Sequence, residues 1–165
     1  MPLLSLSLGS NIDPAENIRR AARALQQEFG EITCSAVFES EAIGFDGDNF
    51  LNLVVITETQ VDLQPIVLFL KQLEDQLGRD RTQPRFSGRP IDIDILSFGD
   101  ETGHDCGIEL PRAEITRNAF VLKPLAELLP DVVHKETGRT HAALWEAFDK
   151  AGQRLWRVDF DWQDT

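Results

Sequence analysis

An α+β fold is predicted for these 165 residues: a ferredoxin-like βαββαβ sandwich with added C-terminal helices and a final strand. Three observations carry this reading. Apolar alternation or continuous apolar runs recur at residues 4–8, 32–38, 50–59 and 91–95, as strands require. Helical patterns at 14–29 and 63–77 fall between the first and second of these and between the third and fourth, so that two split βαβ units follow one another. Neither G-x-x-x-x-G-K-[ST] nor G-x-G-x-x-G occurs, which removes the P-loop and dinucleotide-binding alternatives.

Each element has its own justification. Leu4, Leu6 and Leu8 alternate with Ser5 and Ser7 in a first strand that ends at Gly9-Ser10-Asn11. Asp13, Pro14 and Glu16 read as an N-cap, a proline at the first helical position and a glutamate at the third. Ile18, Ala21, Ala22, Leu25 and Phe29 then share one helix face, which Gly30 closes. Ile32, Cys34, Ala36 and Phe38 alternate as a second strand, and the polar, glycine-containing residues 39–49 form a loop. The third strand, 50–59, is apolar almost throughout and therefore buried on both sides; Asn52 interrupts it, and a buried amide must find partners in a neighbouring loop or in a polar ligand. Asp62 caps a second helix with Ile66, Leu70, Leu73 and Leu77 inward, ended by Gly78. An irregular segment at 100–117, helices near 119–129 and 140–151, and a strand with Trp156, Val158 and Phe160 on one face complete a single domain, residues 1–165.

The net charge is −12, yet residues 78–90 carry four arginines and one aspartate. A basic island on an acidic chain is a local anion site, not the wide footprint of a nucleic-acid surface. The two cysteines, Cys34 and Cys106, make neither a disulfide scaffold nor a zinc site and indicate a reducing compartment. The opening MPLLSLSL reads as a strand, no run reaches membrane-spanning length, and the expected location is the cytoplasm. His104, His134 and His141 are scattered without ligand spacing.

The chemistry concentrates in residues 78–96, GRDRTQPRFSGRPIDIDIL. Arg79, Arg81, Arg85 and Arg89 supply planar, permanently charged donors for phosphate. They run into a strand in which Ile91, Ile93 and Ile95 share one face and Asp92 and Asp94 the other. Carboxylates two residues apart on a strand lie about 7 Å apart at Cα, close enough to share one divalent cation or to hold two. The same alternation also describes any antiparallel strand with one wet face. Cation-binding acids beside anion-binding arginines favour a bound metal–polyphosphate. Lys71 and Glu74, one helical step apart at the end that feeds the arginines, are either a surface pair or part of that site.

LGSN after the first strand, FLN opening the third, E-x-x-x-G-R-x-R, R-x-x-x-R-P-I-D-I-D-I-L and L-P-x(6)-N-A-F-V-L-x-P-L together resemble the 6-hydroxymethyl-7,8-dihydropterin pyrophosphokinase family of the folate pathway. The resemblance runs in order over residues 3–130, and its most specific part is the arginine-to-D-x-D segment. It implies a ferredoxin-like fold and transfer of the β,γ-pyrophosphoryl group of ATP to the pterin hydroxymethyl oxygen, leaving AMP, with two Mg²⁺. By the same resemblance Asp92 and Asp94 hold the metal, and Arg79 and Arg89 are catalytic arginines on the phosphates. Arg81 and Arg85 belong to a mobile loop that closes the site, and Lys71, Glu74, Ile95 and Arg112 fall at nucleotide-site positions. Asn52 bonds the pterin ring, Phe50 and Phe120 sandwich it, and Ser40 and Ile43 read its edge. The partners implied are ATP and a hydroxymethyl pterin, with no nucleic acid and no membrane, for a chain acting as a monomer.

Departures from the family pattern are local. Ser40-Glu41-Ala42-Ile43-Gly44 replaces Thr-x-Pro-x-Gly, and Arg85-Phe86-Ser87-Gly88-Arg89 replaces R-W-G-P-R. Arg112 stands where a histidine is customary, and Asn118 where an arginine is, with Arg117 one place away. These changes suit either a divergent enzyme of the same activity or a paralogue acting on a related pterin. A third reading, a ferredoxin-like binding module without catalysis, predicts indifference to loss of Asp94.

Overall fold

Leucine at every second position places β1 (Leu3–Ser10) at the heart of the sheet, with Leu4, Leu6 and Leu8 wholly buried. The computed structural model describes residues 1–41, 47–78 and 90–163. The main sheet also contains β2 (Thr33–Cys34), β3 (Val37–Ser40), β4 (Phe50–Glu58), β5 (Asp92–Phe98) and β8 (Leu155–Val158). Its order is β5-β1-β4-β3-β8, with β2 beside β4 and every pairing antiparallel. Helices α1 (Pro14–Phe29) and α2 (Leu63–Gln76) are the crossovers of the two βαβ units, as the periodicity predicts. After β5 come short 3-10 turns, α3 (Ala119–Leu128), a two-residue hairpin of β6 (Val133–His134) and β7 (Arg139–Thr140), and α4 (His141–Ala147).

One face of the sheet packs on α1 and α2. Leu4, Leu6 and Leu8 meet Ile18 and Leu25 of α1, Ile66, Leu70 and Leu73 of α2, and Leu53, Val55, Ile91, Ile93 and Ile95 of the neighbouring strands. The opposite face carries a smaller core, Val54 and Leu96 under Ile115, Val121, Leu122 and Leu125, with Leu144, Trp145 and Phe148 against it. β4 therefore sends side chains into both cores, which explains its continuous apolar run.

Four local expectations change. Asp13 occupies the N-cap of α1 but in a left-handed conformation (φ 42°), and its side chain makes no capping bond; Asn17 secures the turn instead by donating to the Ile12 carbonyl at 2.7 Å. Asp62 likewise caps α2 only through its carbonyl, which receives the Ile66 N–H at 3.3 Å. The second strand is broken in two at Ser35, where the N–H donates to Val54 O at 2.8 Å and the hydroxyl accepts the Val54 N–H at 2.9 Å. The pairing Cys34↔Val55 becomes Phe38↔Asn52 beyond this point, an insertion of one residue. A one-residue bulge exchanges the faces, so Val37, not Ala36 or Phe38, continues the buried face of Ile32 and Cys34. The last strand stops at Val158; Val158 and Phe160 pack on the first core, whereas Trp156 stays exposed.

Candidate active site

Strand alternation on β5 does what the sequence predicts. Ile91, Ile93 and Ile95 are 0%, 5% and 5% exposed, while Asp92 and Asp94 lie on the other face, with 43% of the Asp94 side chain open to solvent. Asp92 pairs in register with Gly9 of β1, and Gly9 pairs on its other side with Asn52 of β4. The next row is Asp94, Ser7 and Val54. With neighbouring strands about 4.8 Å apart, Asn52 and Asp92 stand about 10 Å from each other across Gly9. A Cβ on Gly9 would come within 3.2 Å of the Asn52 Oδ1, so glycine leaves the room in which that amide lies.

The Asn52 amide donates to Ser40 Oγ at 2.8 Å, a buried bond that ties β4 to β3. Phe50 pairs with Ser40 across the same two strands, and Phe50 and Asn52 share a face by the strand period. Phe120, in the first turn of α3, packs on the second core. Ser40, Glu41 and Phe120 border a cleft of about 90 Å³. Thus Ser40, Phe50, Asn52 and Phe120 gather on one side of Gly9, and the two aspartates on the other.

Arg112 is brought to the acids. Its N–H bonds Leu96 O at 2.9 Å, and its guanidinium lies 3.7 Å from Asp94 and against Glu114. Glu74 is 7% exposed and accepts the Ile93 N–H at 2.8 Å, while Lys71 is exposed, so the two are not a simple surface pair. The Glu74 carboxylate thereby holds the backbone between Asp92 and Asp94. Ile95 buries its side chain in the first core, leaving only its backbone to a ligand. Ser10 donates to the Pro90 carbonyl and so pins the chain where it enters β5. The sequence marks Gly9 and Ser10 only as the end of the first strand and part of LGSN; their contacts make that motif the scaffold of the site. Ile43, Arg79, Arg81, Arg85 and Arg89 lie outside the described residues.

Hard carboxylate oxygens on one open strand face fit Mg²⁺, which keeps several of its positions for water and phosphate and needs few protein ligands. Among the described residues no group of three or more acidic, histidine or cysteine side chains gathers to enclose an ion. Three titratable groups away from this site are packed into the fold. Burial raises the Cys34 thiol to about 11, which keeps it protonated and unreactive. Burial lowers His134 and His141, whose rings bond Thr137 at 3.0 Å and the Leu129 carbonyl at 2.9 Å.

The family model for 7,8-dihydro-6-hydroxymethylpterin-pyrophosphokinase (HPPK) matches residues 5–130. The chain belongs to this family. Family membership makes it an ATP-dependent pyrophosphokinase, a transferase of folate biosynthesis. The chain is 36% identical over 137 residues to the 2-amino-4-hydroxy-6-hydroxymethyldihydropteridine pyrophosphokinase of Aquifex aeolicus, covering 81% of this chain and 84% of that one. The Bacillus subtilis protein of the same name is 31% identical over 156 residues, covering 92% and 89%. A folate synthesis bifunctional protein of Chlamydia caviae is 33% identical over 147 residues, 84% of this chain but only 33% of that longer one. The wild-type Plasmodium falciparum HPPK-DHPS crystal structure shares the fold, with a TM-score of 0.70 at 14% identity over 88% of this chain and 40% of that one. The chain thus spans well under half the length of these fused relatives and most of the length of the shorter ones. No helix among the described residues is long and apolar enough to cross a membrane.

Proposed function

We propose that the chain moves the β,γ-pyrophosphoryl group of ATP onto the hydroxymethyl oxygen of 6-hydroxymethyl-7,8-dihydropterin and releases AMP. The row Asp92, Gly9 and Asn52 carries this reading. A pterin held at Asn52 between Phe50 and Phe120 lies within about 10 Å of the acids, the span of a bicyclic ring and its one-carbon arm. Asp92 and Asp94 hold two Mg²⁺, which when bound neutralise phosphate charge and lower the pKa of the attacking hydroxyl. Protein side chains need only position and balance charge in such a transfer. Arg79 and Arg89 take the phosphates, with Arg112 beside Asp94 as a further cation, and Arg81 and Arg85 are further nucleotide contacts. Lys71 and Glu74, with the backbone of Ile95, border the nucleotide, and Ser40 and Ile43 meet the pterin edge. The chain acts as a monomer in the cytoplasm.

Incubation with ATP, Mg²⁺ and the hydroxymethyl pterin is expected to yield AMP and pterin pyrophosphate. Release of ADP, or no AMP from folded protein, rejects the assignment. Glu41, a carboxylate at the cleft beside Phe120, favours a second reading in which the pterin differs at the edge that faces it. Competition between pterins for binding separates the two.

A further inference from the structure

The family match ends at residue 130, but the cleft beside Phe120 does not belong to the matched residues alone. Gly152, Gln153, Arg154 and Leu155 line it opposite Ser40 and Phe120. Gln153 spends both ends of its amide on the entrance to α3: Oε1 accepts the Ala119 N–H at 2.8 Å and Nε2 donates to Arg117 O at 2.9 Å. Asn118, at the N-cap itself, makes no side-chain bond there, so the glutamine serves as the cap from 34 residues away. Further along, Leu155 and Arg157 pair with Ser40 and Phe38 on β3, and Arg157 grips Glu127 of α3 through both carboxylate oxygens, at 3.0 and 2.9 Å. Arg154 lies 3.4 Å from Glu41, the carboxylate that departs from the family pattern. The segment is therefore bonded both to the strand that carries Ser40 and to the helix that carries Phe120.

We infer that residues 152–155 form a wall of the pterin site, and that Gln153 is a positioning residue that sets α3, and with it Phe120, over Asn52. This rests on the pterin reading above. The cleft, about 90 Å³, is narrow, which suits the edge of a heterocycle whose remainder stacks on the aromatic rings. β8 and β5 are opposite edges of the sheet, so a change in this wall reaches the pterin and leaves the metal–nucleotide end untouched.

The test measures KM for pterin and for ATP separately in the full chain. Gln153→Ala is expected to raise the pterin KM roughly fivefold to tenfold with the ATP KM within about twofold of wild type. Gln153→Glu keeps an acceptor for Ala119 N–H and is expected to recover most of that loss. Leu155→Trp crowds the cleft without touching the Gln153 bonds and raises the pterin KM on its own. A wild-type pterin KM in Leu155→Trp removes the wall, and one in Gln153→Ala removes the positioning role. Parallel rises in both KM values mark general loosening and overturn the inference. A wild-type chain that releases no AMP with this pterin overturns the functional reading instead.

Discussion

The two faces of the sheet are built from the same strands, one residue out of step, and have opposite fates. Under α1 and α2, Leu4, Leu6 and Leu8 meet Leu53, Val55, Ile93 and Ile95 in a dry layer. On the other face the same strands present Ser5, Ser7 and Asn52, which are buried, and Asp92 and Asp94, which are partly exposed, while α3 lies over Val54 and Leu96. Two long helices close the first face; one ten-residue helix leaves room on the second. Stability is concentrated on one side and chemistry on the other, so substitutions on the two sides are expected to fail in different ways.

The sharpest break in that contrast pairs Asp94→Ala with Leu6→Ala. Loss of the carboxylate is expected to cut turnover on the order of 10³-fold while shifting metal-free stability by less than about 0.5 kcal/mol, because Asp94 is half exposed. Leu6→Ala is expected to cost about 2–5 kcal/mol in denaturant unfolding while folded molecules keep most of their turnover. A large loss of melting temperature in the first variant would erase the distinction.

Glu74 crosses between the two sides, since it leaves a core helix to hold the strand that bears the acids. Glu74→Ala strands the Ile93 N–H and is expected to cost about 1–3 kcal/mol as well as activity, whereas Glu74→Gln retains an acceptor and most of the stability. Equal losses in the two variants would show that its charge, not that bond, is what matters. Gly9→Ala sharpens the contrast on the polar face alone. The added methyl presses on the Asn52 amide, and a cost of about 1 kcal/mol with a raised pterin KM is expected.

The smallest effect lies away from both faces, at His134 and His141. Burial lowers both below the ordinary 6.5, so the unfolded chain binds more protons in the window beneath that value. Their contribution is complete above 6.5 and is lost as pH falls through the folded-state values. The melting temperature is therefore expected to drop between pH 7 and 5, and His141→Gln to flatten part of that slope.

The sequence by itself determined the order of elements, the two βαβ units and the face on which Asp92 and Asp94 stand. Those follow from periods of two and 3.6 residues, which chain neighbours alone impose. Only the tertiary structure decided which way the strand turns after Ser35, because a bulge is set by the partner strand and reverses an alternation that looks unbroken in sequence. It alone recruited Glu74 to the Ile93 N–H and Gln153 to the start of α3, 19 and 34 residues away. Bonds over such separations leave no local pattern; they arise when packing brings an orphaned backbone group within reach of whatever polar side chain lies beside it.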